Sequence, residues 1–126
     1  MTLFVNLHVK DLPASLRFFE NLGLAIDREL TGDEAGCVTL AEGASLLLVT
    51  EPFFKSVTGK DIPDTTAGNE VALALQVDAR AKVDDIVSAA LANGGTKAGE
   101  VQDDAVMYSR SFRDLDGHLW SVLHMG

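Results

Sequence analysis

The chain has 126 residues, 47% of them hydrophobic, which suits one globular domain with a substantial core. Its 19 acidic and 10 basic residues leave a net charge of −9, a sign that repels phosphate backbones and anionic lipid and argues against nucleic-acid and membrane partners. A single cysteine, Cys37, rules out an internal disulfide or a four-cysteine metal cage. With no basic and apolar leader ahead of the first strand, and no apolar run near the roughly 18 residues a spanning helix needs, a cytoplasmic protein is expected.

Val5, Leu7 and Val9 alternate with Phe4, Asn6 and His8, the period of a strand, and Asp11 and Pro13 then stand where an N-cap and a first-turn proline belong. Leu16, Phe19 and Leu22, with Phe18 beside them, give the following helix one apolar stripe that Gly23 ends. Three strands are predicted next, over about 25–30, 36–40 and 44–50, divided by the turn-like Thr31-Gly32-Asp33 and Glu42-Gly43. Residues 51–70 are rich in Thr, Asp, Gly and Pro yet carry Phe53, Phe54, Val57 and Ile62, which predicts an ordered loop of a length that often covers a site.

The same pattern then recurs. Residues 71–77 read as a strand, Asp78 takes the place of Asp11, and Val83, Ile86, Val87, Ala90 and Leu91 recur at helical spacing before Gly94-Gly95. Strands follow over about 96–101, 105–113 and 118–124, with Asp116-Gly117 as the turn before the last. The prediction is an α+β domain of two tandem βαβββ modules, about 1–50 and 71–126, joined by the loop over 51–70.

The run Phe4-Val5-Asn6-Leu7-His8-Val9-Lys10-Asp11-Leu12-Pro13, the repeated module, and Tyr108-Ser109-Arg110-Ser111-Phe112 leading into Asp114-Leu115-Asp116-Gly117-His118-Leu119-Trp120 carry a family resemblance. Over its whole length the chain resembles the glyoxalase, bleomycin-resistance and extradiol-dioxygenase superfamily, the vicinal oxygen chelate proteins. Within it, the chain is most similar to a bacterial branch labelled predicted lactoylglutathione lyase. The resemblance implies curled mixed sheets around a cavity, helices on the convex side, and a homodimer. It leaves open whether any reaction is catalysed, because this scaffold hosts isomerases, lyases, dioxygenases, epimerases, thiol transferases and drug-sequestering binders.

In metal-dependent members of that superfamily, histidines and carboxylates on the first, fourth, fifth and last strands hold a divalent ion. The matching positions here are Phe4, Leu48, Ala72 and Ser121. Phe, Leu and Ala offer no lone pair, and a lone serine hydroxyl is a poor ligand, so no metal cofactor is expected.

Strand parity places Phe4, Asn6 and His8 inward in module one, and Ala72, Ala74 and Gln76 inward in module two with Leu119, Ser121 and Leu123. Tyr108, Arg110 and Phe112 share one strand face, either a wall for an anionic or planar ligand or, for Arg110, a partner of one of the many carboxylates. The expected ligand pocket is thus Phe4, Asn6, His8 and Leu48 from module one, with Ala72, Gln76, Tyr108, Arg110 and Ser121 from module two. His118 reads as a hairpin-bonding residue, and His124 falls on the parity opposite Ser121. Asp84-Asp85 and Asp103-Asp104 read as solvated charge, and Cys37 has no base nearby in sequence.

Two functional readings follow. One is a metal-free module that binds a small or planar organic molecule in an apolar cavity oriented by Asn6, His8, Gln76 and Ser121. The other is a divalent-metal-dependent, lactoylglutathione lyase-like enzyme, which needs ligands the expected positions lack. A metal-free enzyme with His8 as base is a third.

Overall fold

Strand β1 (Leu3–Val9) forms where the alternation predicts it and hands over at Asp11 to helix α1 (Leu12–Asn21). The Asp11 carboxylate accepts the Ala14 N–H at 3.1 Å, and Pro13 occupies the first turn, where its missing N–H costs nothing. A computed structural model describes all of residues 1–126 and divides them into two units, Met1–Pro63 and Asp64–Gly126.

In the first unit β2 (Ala25–Asp27), β3 (Ala35–Ala41) and β4 (Ala44–Thr50) complete a four-stranded sheet in the order β1-β4-β3-β2, with β1 and β4 parallel and the other pairs antiparallel. Helix α1 covers one face, where Phe18, Phe19, Leu7, Val38, Leu46 and Leu48 are buried. Two expectations change here. The strand predicted over 25–30 stops at Asp27, whose carboxylate accepts the N–H groups of Glu29 and Leu30 and turns the chain into a single 3-10 turn. The loop predicted over 51–70 begins instead as helix α2 (Glu51–Thr58), opened by Pro52 and closed by Gly59 in the left-handed conformation, φ +73°.

The second unit repeats the plan with β5 (Ala72–Gln76), α3 (Arg80–Ala92), β6 (Thr96–Asp103), β7 (Met107–Arg113) and β8 (Leu119–Met125). Its sheet runs β5-β8-β7-β6, and β5 is parallel to β8. Val83, Val87 and Ala90 of α3 are buried against the sheet face that carries Phe112, Trp120 and Val122. The rings of Phe112 and Trp120 lie parallel, 6.3 Å apart between centroids. Asp78 does not cap α3 as Asp11 caps α1; the capping position falls to Ala79, and Asp78 pairs with Lys82 at 2.8 Å. The architecture is therefore α+β, two tandem βαβββ modules.

Candidate functional site

Pairing register decides which side chains share a face, because residues opposite one another on neighbouring strands point the same way. In the first sheet Phe4, Asn6 and His8 stand opposite Ser45, Leu47 and Val49, on the face away from α1. Phe4 and Asn6 are exposed. His8 is buried, and its ring meets that of Phe54 on α2 edge to face at 5.3 Å between centroids. Leu48 is a correction. It pairs with Leu7 and Gly36 on the α1 side and is wholly buried, so Leu47 and Val49 take the place expected of it.

In the second sheet Ala72 and Gln76 share a face with Leu119, Ser121 and Leu123, and across β7 with Ser109, Ser111 and Arg113. The Ser121 hydroxyl lies 2.8 Å from that of Ser111. Ala72, Ala74 and Gln76 are exposed, and this face mixes small and polar side chains with Leu119 and Leu123.

Tyr108 and Arg110 do not join it. They lie on the other face with Trp120, Val122 and His124, under α3. There the Tyr108 hydroxyl donates to Asp84 at 2.5 Å and the Arg110 guanidinium donates to the same carboxylate at 2.9 Å. Asp84 is accordingly held below the usual carboxylate range, first by the tyrosine hydroxyl and then by Arg110, while the hydrogen bond that Tyr108 donates to it pushes the phenol up. Arg80 lies over the Tyr108 ring, 4.4 Å from its centroid, and pairs with Asp103. The carboxylate expected to be solvated is thus the hub of a helix-to-sheet network. Asp103 likewise has a partner, and Asp104 accepts from the N–H groups of Val106 and Met107, which holds its carboxyl down.

Two acidic residues that sequence patterns did not single out prove central in the second unit. Asp114 is buried, and its carboxylate accepts from the N–H of Asp116, the N–H of His118 and the indole N–H of Trp120, each at 3.0 Å. Burial pushes its carboxyl above the ordinary value despite these donors. The wholly buried ring of His118 places Nδ1 2.7 Å from Oε1 of Glu70, just ahead of β5. His118 therefore serves the hairpin through its backbone and reaches Glu70 with its ring. His124 faces away from Ser121, as its parity predicts, with Nδ1 2.9 Å from the carbonyl of Val77.

The ion that the resemblance implies does not fit the positions that would hold it. Phe4 and Ala72 have no donor atom, Leu48 points to the core, and Ser121 shares its hydroxyl with Ser111.

Comparison with known proteins agrees with the fold. The family model described as Glyoxalase/Bleomycin resistance protein/Dioxygenase superfamily matches residues 3–122, and the chain belongs to that family. Among solved structures it is similar to the hypothetical protein SA1046 from S. aureus, with 28% identity, TM-score 0.85, and 98% of this chain and 93% of that one covered. It is similar in fold to a glyoxalase-related enzyme from Fulvimarina pelagi, at 22% identity and TM-score 0.82, covering 98% and 87% of the two chains. The same holds for a glyoxalase/bleomycin resistance protein/dioxygenase family enzyme from Burkholderia phytofirmans PsJN, at 15% identity and TM-score 0.80, covering 98% and 97%. No curated protein matches the sequence.

Proposed function

We propose that this chain is a small-molecule-binding member of its superfamily that works without a divalent metal and acts as a homodimer. The observation that carries the reading is the side-chain chemistry at Phe4, Ala72 and Ser121, where the superfamily's metal-dependent members place histidines and carboxylates. In their stead the face of the first sheet offers an aromatic ring and the Asn6 amide, and that of the second offers Gln76 and the Ser111 and Ser121 hydroxyls among small apolar groups. Such surfaces suit a small or planar organic molecule held by shape and a few oriented polar groups.

The test is metal content by mass spectrometry on untagged protein purified without chelators, followed by melting with added Ni, Zn, Mn or Fe(II). No bound metal and no metal-dependent shift, together with a melting shift from planar organic compounds, is the expected result. About one metal per chain with a matching gain in stability would overturn it. Mass by light scattering tests the dimer.

A metal-dependent lyase or isomerase is the second reading, and one observation favours it. His118 Nδ1 and Glu70 Oε1, 2.7 Å apart, are two donors of the kinds that Ni, Zn, Mn and Fe accept. If metal is found, its loss in both His118→Ala and Glu70→Gln would locate it there.

A further inference from the structure

Arg113 is the last residue of β7, on the face shared by Ser111, Leu119 and Ser121. Of the five arginines, Arg28, Arg80 and Arg110 each pair with a carboxylate, and Arg17 is exposed on α1. Arg113 is held differently. Its Nη1 donates to the side-chain oxygen of Asn69 at 2.7 Å and to the carbonyl of Gly117 at 3.0 Å, both neutral acceptors. The guanidinium is thus fixed in place through one nitrogen while no carboxylate of the second unit neutralises it. In a chain with a net charge of −9, a half-buried, oriented and uncompensated cation is the exception.

The surroundings form a cleft of about 380 Å3 lined by residues 65–69 with Arg113 and Gly117. Its wall is itself braced. The Thr65 hydroxyl donates to the carbonyl of Asp116 at 2.7 Å, and Gly117 has φ +83° with Thr65 Oγ1 only 3.0 Å from where a Cβ would stand. Segment 65–69 and the turn before β8 are therefore locked together beside the guanidinium.

We propose that Arg113 is an anion-recognition site for a carboxylate on a small organic ligand. Both protons of Nη1 are committed to Asn69 and Gly117, so the edge formed by Nε and Nη2 remains, and two parallel N–H donors on that edge match the two oxygens of a planar carboxylate. Because Arg113 ends the row that contains Ser111 and lies opposite Leu119, the body of a ligand anchored there extends along the face that carries Ser121 and Ala72. The inference rests on the small-molecule reading and names its ligand class.

The experiment titrates the full chain, in low-salt buffer near neutral pH, with benzoate, with its neutral isostere benzamide, and with inorganic phosphate, following the Arg113 Nε–Hε resonance and backbone amides by NMR. Benzoate should shift that resonance saturably, and Arg113→Gln should weaken its binding by about tenfold or more, as loss of a bidentate charged pair implies. Asn69→Ala, which only releases the guanidinium from its brace, should weaken it several-fold and serves if the first variant does not fold. Benzamide binding as well as benzoate would overturn the anion site and leave the small-molecule reading standing. Tighter binding of phosphate than of benzoate would overturn the carboxylate assignment. No saturable shift from any probe would overturn the site, and with no organic compound moving the melting temperature either, the small-molecule reading would fall with it.

Discussion

The imidazole of His118 and the carboxylate of Glu70 meet at 2.7 Å, with the ring wholly buried and the carboxylate about a quarter exposed. This pair ties the approach to β5 to the start of β8, two segments that are distant in sequence. Glu70→Ala takes the carboxylate from a buried ring and should lower unfolding free energy by about 1–3 kcal/mol, measured by urea denaturation at neutral pH. An unchanged midpoint would show that the ring needs no partner at that nitrogen.

Gly95 should be the least replaceable glycine. A Cβ there would stand 2.8 Å from the Ala90 carbonyl oxygen and 2.9 Å from that of Arg113, and backbone atoms cannot step aside. At Gly36 the nearest atom is Leu16 Cδ2 at 2.6 Å, on a side chain that can rotate. We expect Gly95→Ala to cost about 2–4 kcal/mol and Gly36→Ala about 1–2 kcal/mol, the second partly relieved in a Leu16→Ala background. Equal costs, or no relief, would contradict this account.

Asp84 and Asp114 should titrate on opposite sides of the ordinary carboxylate value of 3.8. The Tyr108 hydroxyl and Arg110 hold Asp84 low, so it contributes stability that is present above the unfolded value and is lost as pH falls through its folded value. Burial raises Asp114, so the folded state keeps that proton more readily and stability falls as pH climbs through the window above 3.8. Carboxyl-carbon NMR between about pH 2 and about pH 7 resolves the two midpoints, and the reverse order would sink the assignment.

Ser121→Glu returns one carboxylate to a position that binds metal in other members of the family, yet Phe4, Leu48 and Ala72 still supply no donor. The variant should gain no measurable affinity for Ni or Zn by calorimetry. Tight stoichiometric binding would mean that other side chains complete a site on that face.

The alternation of β1 and the capping pair Asp11 and Pro13 could be read directly from the sequence, because those signals are local. Leu48 was not placeable in the same way. Alternation groups residues along one strand, but only pairing fixes the phase between strands, and the parallel register of β1 with β4 sets Phe4 against Ser45. Tyr108 and Arg110 were joined to Ser121 for the same reason, and the register of β7 with β8 puts them on the opposite face. Asp84 looked like a surface acid because its partners, Tyr108 and Arg110, lie far along the chain, and for the same reason nothing local links Glu70 to His118. Asp114 belonged to a recognisable Asp-Leu-Asp-Gly run, but nothing local announces that it accepts from an indole on the next strand. The opening turn of α2 did carry a signal, Pro52 after Thr50, that the loop-like composition around it obscured.

Strand β7 keeps two sets of obligations apart. Tyr108, Arg110 and Phe112 bind it to α3 and to Trp120, whereas Ser109, Ser111 and Arg113 look the other way and support none of that core. The chemistry of one side of this single strand can therefore change by single substitutions at Ser109 or Ser111 while the packing on its other side, which holds the strand to α3, is left untouched.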